Sequence, residues 1–347
     1  MKMKTVILDA FGDVNNFHLK EIPIPSPKQN EVRIRIKAAS FNPVDCKIRT
    51  GSYADKCPLI MGADCSGIID EVGPDVTQFT TGDEVYGMPF GQCSNGSYAE
   101  YLCIPIQFIA KKPKHLSFEE ASSFPLVSLT AYRAMIATHA LEKKGPIFIA
   151  GAGGGVGSIA VQLAKHFHGG PIYTIAGSEE SADFLMKTLK CKRDHIVLYK
   201  GLTLEDLQNK ILSATDGNLF GACFDFVGKE MKQLCIALAA HSGHVASILP
   251  EDPSSGTPAW IQAGGLCFRK NLSFHSISVG AESFSGNAST WKIYQDHLSA
   301  ITKLLDEKIL HPPVLNNIGN LSVETVQEAH RLLESGRVKG KLVMQVP

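Results

Sequence analysis

The spacing of apolar and polar residues separates a front part of the chain, which predicts β-strands, from a middle part that predicts strands and helices in turn. In VRIRIKA (residues 32–38), apolar residues alternate with arginine and lysine. A period of two predicts a half-buried strand whose cations form its solvated face. Glycines punctuate the sequence between residues 51 and 87, which indicates short strands joined by turns in a compact β-rich domain.

The middle part begins with an apolar run at residues 147–150, followed by a glycine-rich turn and a helix predicted from about Gly155 onward. Amphipathic segments such as SADFLMKTLK and EMKQLCIALAAH separate several later apolar runs. Alternating strands and helices predict a parallel sheet with right-handed crossovers, the doubly wound or Rossmann α/β fold. The later strands are predicted at residues 171–177, 195–199, 222–228, 244–249 and 272–279.

The segment SFEEASSFP marks the predicted boundary between two domains. It predicts a helix that begins with a capping box of Ser117 and Glu120 and is stopped by Pro125. Near the end of the chain, STWKIYQDHLSAITKLL and SVETVQEAHRLLESG predict helices, and GKLVMQV predicts a strand. We therefore predict two domains: a β-rich catalytic domain of residues 1–121 and 306–347, and a dinucleotide-binding domain of residues 122–305.

Composition narrows the range of partners. The 34 basic residues equal the 34 acidic ones, so the charge favours neither a nucleic acid nor an anionic membrane, and we expect a small-molecule substrate. The nine cysteines form no C-x-x-C pair, and no apolar secretory segment follows Met1. A disulfide framework is therefore not expected, and the protein is predicted to be cytoplasmic.

One uncharged stretch, GPIFIAGAGGGVGSIAVQLA, has twenty residues, about the length of a membrane-spanning helix. Six of these residues are glycine, and four of the six lie within residues 151–155. A short strand, a turn and a helix therefore fit the stretch better than one continuous apolar helix, and no membrane partner is predicted.

Strand, glycine turn and helix form the setting of a dinucleotide-binding motif. Read as A-x-G-x-x-G, the motif consists of Ala152, Gly154 and Gly157. Small residues allow the tight turn, the close approach of the backbone to a pyrophosphate and close packing of the helix on the strand. The helix N-terminus adds free N–H groups and a positive dipole end. We assign these three residues, together with Gly155 and Val156, to cofactor binding.

The residues after the second predicted strand favour NADPH over NADH. An NAD site places an acidic residue about 20 positions after the motif to hold the ribose hydroxyls. Gly177 and Ser178 stand there instead, which leaves room for a 2′-phosphate that Ser178 can hydrogen-bond. Tyr199, after the third predicted strand, could add a donor. Two glutamates follow Ser178 directly and would repel a phosphate if they faced it, so NADH stays the alternative.

Several motifs along nearly the whole chain carry a resemblance to a known family. They are, in order, NPVDCKIRTGSY, GADCSGIIDEVG, GDEVYG, GSYAEYL, FPLVSLTAY, GAGGGVGSIAVQLAK and GRVKGKLVMQV. Together they resemble the zinc-independent quinone oxidoreductases of the medium-chain dehydrogenase/reductase superfamily, a group that includes zeta-crystallin and the alkenal and enone reductases. The resemblance implies a Rossmann domain, a β-rich GroES-like catalytic domain, and metal-free hydride transfer from NADPH to quinones or α,β-unsaturated carbonyls.

The resemblance also implies roles for residues of the NPVDCKIRTGSY segment. Lys47 matches the lysine that faces the nicotinamide ribose and the substrate oxygen in the alkenal and enone reductases, whereas many quinone reductases have a tyrosine there. Asn42 would hydrogen-bond substrate or cofactor, and Tyr53 would line the pocket. Asp45 is expected to orient the loop, and Cys46 is expected to take no part in the chemistry. For Lys47, an ordinary solvated lysine remains the alternative.

The remaining cofactor residues are assigned partly from the resemblance and partly from their position. Thr130 resembles the family threonine near the nicotinamide. Four others lie at the carboxyl ends of predicted strands, where an open α/β sheet binds its ligand. They are Ser247 and Ile248 after the fifth strand, and Val279 and Gly280 after the sixth.

The zinc alcohol dehydrogenases of the same superfamily are the main alternative. A catalytic zinc site there uses a cysteine, a histidine and a second cysteine or an acid. Alignment of the motifs places Asn42 at the first ligand and Ala63 at the histidine, and PLVSL has no cysteine or histidine for the third. We therefore predict no metal ligands and no zinc.

Two further possibilities concern function and assembly. A non-catalytic NADPH-binding protein stays open, as does reduction of an enoyl-thioester. By analogy with family members, we expect a homodimer that joins edge strands of the nucleotide domains, with NLSFHSISV as the edge strand.

Overall fold

The computed structural model describes residues 1–54, 56–89, 95–142, 145–251 and 256–347. Cys93 and residues 252–255 lie outside these ranges. The eight cysteines within them are free thiols. None of the helices in these ranges is both long enough and apolar enough to span a membrane.

The described ranges form strands in both halves of the chain, numbered here in chain order. They are β1 (Lys2–Leu8), β2 (Phe17–Pro23), β3 (Glu31–Ser40), β4 (Leu59–Ile60), β5 (Asp64–Val72), β6 (Glu84–Gly87), β7 (Tyr101–Pro105), β8 (Ile109–Lys111), β9 (Ile147–Ala150), β10 (Ile172–Ala176), β11 (Ile196–Leu198), β12 (Phe220–Asp225), β13 (Ala239–Ser247), β14 (Ser273–Ser276), β15 (Leu315–Asn320) and β16 (Lys341–Gln345).

The α-helices are numbered in the same way. They are α1 (Pro43–Arg49), α2 (Phe118–Ser122), α3 (Pro125–Ala137), α4 (Gly155–Leu163), α5 (Glu179–Lys187), α6 (Leu204–Ala214), α7 (Glu230–Leu238), α8 (Leu266–Arg269), α9 (Ala281–Phe284), α10 (Lys292–Asp306) and α11 (Val323–Glu334).

The chain divides into two compact units, and the second, residues 130–279, contains the predicted parallel sheet. Its strands run in the order β11-β10-β9-β12-β13-β14, and all five pairings are parallel. The doubly wound α/β prediction is confirmed. All six predicted strands are present, although β13 begins at Ala239, where EMKQLCIALAAH was expected to be still helical.

The first unit, residues 1–129 and 280–347, is rich in β-structure. A seven-stranded sheet has the order β15-β16-β3-β5-β6-β8, with β7 also paired to β3. The prediction for VRIRIKA is confirmed, because Val32, Ile34 and Ile36 are fully buried while Arg35 is exposed. A separate antiparallel sheet has the order β2-β1-β4.

The two units differ from the predicted domains at both boundaries. Residues 280–305 belong to the first unit, whereas the sequence placed them in the dinucleotide-binding domain. The physical reason is aromatic packing: Phe108, next to β8, lies 5.2 Å from the ring of Trp291 and 4.6 Å from that of Tyr294. Helix α10 is therefore anchored by an aromatic cluster that no local pattern indicates.

The predicted helix at SFEEASSFP is present but short. Ser117 and Glu120 form the capping box, with Glu120 N donating to Ser117 Oγ and Ser117 N donating to the Glu120 carboxylate. Helix α2 ends at Ser122, as expected for a helix stopped before proline. Pro125, however, also begins helix α3. Proline is tolerated there because the N–H groups of the first helical turn have no partner within the helix, so the missing N–H costs no hydrogen bond. The sequence did not predict α3.

Candidate functional site

The glycine turn between β9 and α4 has the geometry of a phosphate-binding turn. Gly151 has a φ of 85°, and Gly154 N donates to the Gly151 carbonyl at 3.0 Å. Gly154 is the N-cap of α4, so the first N–H groups of that helix are free. A Cβ on Gly157 would overlap the Gly151 carbonyl oxygen and Ala152 Cα. Helix and turn can therefore approach this closely only through glycine.

At the ends of the next two strands lie the predicted 2′-phosphate residues. Ser178 is the N-cap of α5, and its Oγ accepts from Ser181 N at 3.2 Å. Tyr199 follows β11 and is 41% exposed. A Cβ on Gly177 would be 3.1 Å from the Tyr199 hydroxyl, so this hydroxyl lies beside Gly177. Because parallel strands end at one edge of the sheet, Ser178 and Tyr199 lie on the same edge as the glycine turn.

One of the two glutamates at this edge is paired with a residue that the sequence analysis did not consider. Arg193 Nη2 contacts both oxygens of Glu179, at 2.9 and 3.2 Å. The Glu179 carboxylate, which was expected to repel a 2′-phosphate if it faced one, is therefore paired with a guanidinium.

A buried carboxylate fastens the ends of β12 and β13. Asp225 accepts from Val227 N at 3.0 Å and Gly228 N at 2.6 Å through one oxygen, and from Ser247 Oγ at 2.7 Å through the other. Ser247 is 2% exposed, and the next residue, Ile248, donates its N–H to the Asp225 carbonyl at 3.3 Å. Ser247 and Ile248 are thus fixed at the carboxyl edge of the sheet.

The last predicted cofactor residues lie near the division between the two units. Thr130 is 4% exposed and lies inside α3, and Val279 is 9% exposed. The Arg133 side chain, one turn after Thr130, donates to the Val279 carbonyl at 3.0 Å. Val279 ends the second unit, and Gly280 belongs to the first. The roles of these residues in cofactor binding stay predictions.

Helix α1 brings the catalytic candidates together in the first unit. Asn42 is its N-cap, Lys47 lies in its last turn, and Tyr53 follows a turn in which Gly51 has a φ of 92°. Ser52 N donates to the Lys47 carbonyl at 2.9 Å, which closes that turn. Lys47 is half-buried, and burial lowers the pKa of its ammonium. Tyr53 is 39% exposed.

Asn42, which was predicted to hydrogen-bond substrate or cofactor, is a buried residue. Its side chain is 1% exposed. Nδ2 donates to Asp64 Oδ2 at 2.7 Å, and Oδ1 accepts from Lys341 Nζ at 2.6 Å. All contacts of the amide in the described residues are thus with the protein itself, and a contact with substrate or cofactor stays a prediction.

Under helix α1 lies a cluster of buried titratable groups. Asp45 accepts from Asn42 N at 2.8 Å, which completes a capping box, but its other oxygen is buried without a hydrogen bond. Burial raises the Asp45 pKa to about 7. Burial, aided by the charge of Arg49, lowers the His330 pKa to about 3. The Tyr98 hydroxyl lies 3.4 Å from His330 Nε2. Asp45 thus caps the start of helix α1, and its predicted role in orienting the loop stays a prediction.

The donors near α1 do not fit a zinc site. Cys46 is a buried thiol that donates to the His330 carbonyl at 3.7 Å, and burial raises its pKa to about 12. Ala63 offers no ligand atom, and an ammonium occupies the space beside the Asn42 oxygen. Outside the four undescribed gaps, no three His, Cys, Asp or Glu side chains are grouped to hold a metal ion.

Three of the residues described above were missed by the sequence analysis. Asp225 had a local signal, since it ends an apolar strand and precedes a Val-Gly turn. Arg193 had only a weak one, a cation before the third strand. His330 had none, because a histidine within an amphipathic helix does not reveal what it packs against.

Comparison with known proteins identifies families that match two parts of the chain. Residues 28–114 match the family model "Alcohol dehydrogenase GroES-like domain", and residues 192–344 match the model "Zinc-binding dehydrogenase". A "Zinc-type alcohol dehydrogenase-like protein" of Staphylococcus epidermidis is 29% identical over 98% of this chain and 100% of its own length.

Two further relatives carry reductase names. The "2-methylene-furan-3-one reductase" of Solanum lycopersicum is 29% identical over 99% of this chain and 79% of its own length. The solved structure of the quinone oxidoreductase from Coxiella burnetii is 28% identical, covers the whole of both chains and superposes with a TM-score of 0.78. The GroES-like character of the β-rich part is confirmed by the first family model.

Gly157→Ala should weaken NADPH binding by about 5- to 150-fold, because the added methyl displaces the turn that is predicted to hold the pyrophosphate, and overpacking typically costs about 1–3 kcal/mol. NADPH fluorescence titration measures the effect. Gly221→Ala is the matched control, since a Cβ there meets no atom within 4 Å. A folded Gly157→Ala protein with unchanged affinity would contradict the assignment of the turn.

Asp45→Asn should make the protein more sensitive to acid. Between about pH 4 and 6.5, folded Asp45 holds a proton that the unfolded chain has released, while neutral folded His330 lacks one that the unfolded chain has gained. The two effects offset each other in the natural protein.

Asp45→Asn removes the first effect and leaves the effect of His330. The free energy of unfolding should therefore fall with decreasing pH by up to about 1.4 kcal/mol per unit in this window. Urea unfolding at several pH values measures the slope. His330→Gln should produce the opposite slope, with stability falling as pH rises from about 4 to 7. Identical slopes in all three proteins would contradict these two opposing contributions of Asp45 and His330.

Proposed function

Because this chain belongs to the medium-chain dehydrogenase/reductase superfamily and is one of its oxidoreductases, we propose that it reduces quinones or α,β-unsaturated carbonyls with NADPH and without a metal. The observation that carries the proposal is the donor set on α1. The position of the first zinc ligand is held by Asn42, whose amide is bound to Asp64 and Lys341. The same helix presents the half-buried ammonium of Lys47.

Lys47 supplies the electrostatic part of the reaction. Bound NADPH would provide a hydride for the β-carbon of an enone or for a quinone. Negative charge then develops on the carbonyl oxygen, and an ammonium directed at that oxygen stabilises it. Partial burial strengthens this attraction, since fewer waters compete for the charge. The proton that completes the reduction, at the α-carbon of an enone or at the oxygen of a reduced quinone, would come from solvent, so no dedicated acid is assigned.

The choice of NADPH rests on the carboxyl edge of the parallel sheet. Ser178 and Tyr199 offer hydroxyl groups to a 2′-phosphate, and Glu179 is paired with Arg193. In an NADH site, a free carboxylate at this place would accept a hydrogen bond from the ribose 2′-hydroxyl. The pairing of Glu179 neutralises one of the two carboxylates that opposed a 2′-phosphate and in that respect supports NADPH.

The second candidate is a zinc-dependent alcohol dehydrogenase, favoured by the names of the Staphylococcus relative and of the second family model. The donor chemistry at α1 opposes it. A homodimer is also proposed, since β14 is the terminal strand of the parallel sheet in the described residues and offers an unpaired edge.

Initial rates of NADPH oxidation should be high with unsaturated ketones, unsaturated aldehydes or quinones, and unchanged by a chelator. The panel includes saturated aldehydes, an enoyl-thioester and NADH for comparison. Turnover of saturated aldehydes alone, abolished by the chelator, would establish the zinc alternative. Cofactor binding without turnover of any acceptor would indicate a non-catalytic binding protein.

Lys47→Ala should lower kcat with enones by about 10²–10³-fold, the usual cost of removing one donor to an oxyanion, while NADPH affinity changes by no more than a few fold. Lys47→Arg should retain part of the rate, because it retains the charge. Lys114→Ala, which removes an exposed lysine of the same unit, is the matched control. Unchanged turnover in Lys47→Ala would remove Lys47 from the mechanism.

The pH profile gives an independent check of the same residue. Because burial lowers the Lys47 pKa below 10.5, kcat/KM should decline on the alkaline side before an ordinary lysine loses its proton. In Lys47→Arg the decline should move to higher pH, since a guanidinium stays charged. An alkaline limb that is the same in both proteins would assign it to another group.

A further inference from the structure

A buried lysine from the last strand is bonded to the N-cap of helix α1. Lys341 begins β16, and its side chain is 5% exposed. Its Nζ lies 2.6 Å from Asn42 Oδ1, 3.1 Å from Asp64 Oδ2 and 3.2 Å from the Phe41 carbonyl oxygen. An ammonium has three N–H donors, so three oxygens satisfy it fully.

The carboxylate that faces this ammonium is equally well bonded. Asp64 is completely buried. Its Oδ2 accepts from three donors: Ser40 Oγ at 2.9 Å, Asn42 Nδ2 at 2.7 Å and Lys341 Nζ at 3.1 Å. Its Oδ1 accepts from Leu126 N at 2.7 Å. Bonds from this number of donors compensate for the loss of water around both charges.

The arrangement fixes the orientation of the Asn42 amide. The oxygen faces a cation and the nitrogen faces an anion, so a flipped amide would put like against like on both sides. Asn42 also starts the helix that carries Lys47, and its main-chain N–H is held by Asp45. Lys341 thus acts at the origin of the helix, at the position that the motif alignment equates with a zinc ligand.

We infer that Lys341 is a positioning residue: its ammonium is a built-in cation that locks Asn42 and the start of helix α1, and so sets the direction in which Lys47 reaches the acceptor oxygen. The inference rests on the proposed function for its catalytic consequence. The cation is part of the chain, so the site is organised without an ion from solution.

The first test separates positioning from charge balance. Lys341→Met leaves Asp64 as a buried uncompensated charge and is expected to destabilise the fold. The double variant Lys341→Met/Asp64→Asn removes both charges and should fold. The reference is Asp64→Asn, which has the same change at Asp64 and keeps Lys341. If Lys341 only balances Asp64, the double variant turns over at least as fast as Asp64→Asn. If Lys341 positions α1, kcat with the best acceptor is lower in the double variant than in Asp64→Asn by about tenfold or more, while KM for NADPH is unchanged.

Lys112→Met is the matched control. Lys112 is another buried lysine of the same unit; its Nζ bonds to the Pro113 and Leu116 carbonyls and pairs with Glu84. It has no bond to α1, so its replacement should change stability and leave kcat unaltered. A kcat loss equal to that of the double variant would overturn the inference.

A spectroscopic test is independent of turnover. In protein labelled with ¹⁵N-asparagine, the Asn42 side-chain amide, identified by its loss in Asn42→Gln, should exchange slowly with solvent. Its signals should shift and exchange faster in the double variant than in Asp64→Asn, so that the difference reports the loss of Lys341 alone. Unaltered signals would overturn the inference. Should the natural protein reduce no acceptor at all, the proposed function fails, and the amide signals still decide whether Lys341 holds Asn42.

Discussion

The buried contact between Asp64 and Lys341 joins parts of the chain that are 277 residues apart. Asp64 begins β5 and Lys341 begins β16, and both strands flank β3 in the seven-stranded sheet. Taking two charges out of water costs several kcal/mol for each ion unless hydrogen bonds replace the lost solvation. Here every donor of the ammonium has an oxygen. The contact therefore specifies one arrangement of sheet and helix, since any other would bury a charge without a partner.

A second constraint acts in the parallel sheet, and it is steric. Gly157 allows α4 to pack on the glycine turn, and the free N–H groups of the helix then lie where a pyrophosphate would bind. Asp225 plays a related part at the neighbouring strands, since one carboxylate binds two turn N–H groups and the Ser247 hydroxyl. Both groups fix the backbone at the carboxyl edge of the sheet. The glycine turn was recognised from sequence, whereas the part played by Asp225 was not.

Local patterns predicted the parallel sheet, the alternating strand β3 and the glycine turn because each depends on residues close together in sequence. They did not predict α3, whose first residue, Pro125, was interpreted only as a stop signal. They also misplaced residues 280–305, because the contact of Phe108 with Trp291 and Tyr294 joins distant segments. For the candidate site, Lys47 and Asn42 were assigned through the order of the motifs, and their roles stay predictions. Lys341 and His330 have partners about 280 to 300 residues away. No spacing rule reaches that far.

The electrostatics of the first unit follow one physical idea. Burial around α1 raises the pKa of the Cys46 thiol and of the Asp45 carboxyl, which favours their neutral forms. Lys341, in contrast, is buried as an ammonium because the Asp64 carboxylate and two neutral oxygens accept its hydrogen bonds. A site that combines buried Lys341 with half-buried Lys47 therefore obtains positive charge by a route that the surrounding apolar packing tolerates. Under the proposed function, the half-buried ammonium of Lys47 is the group that would stabilise an oxyanion.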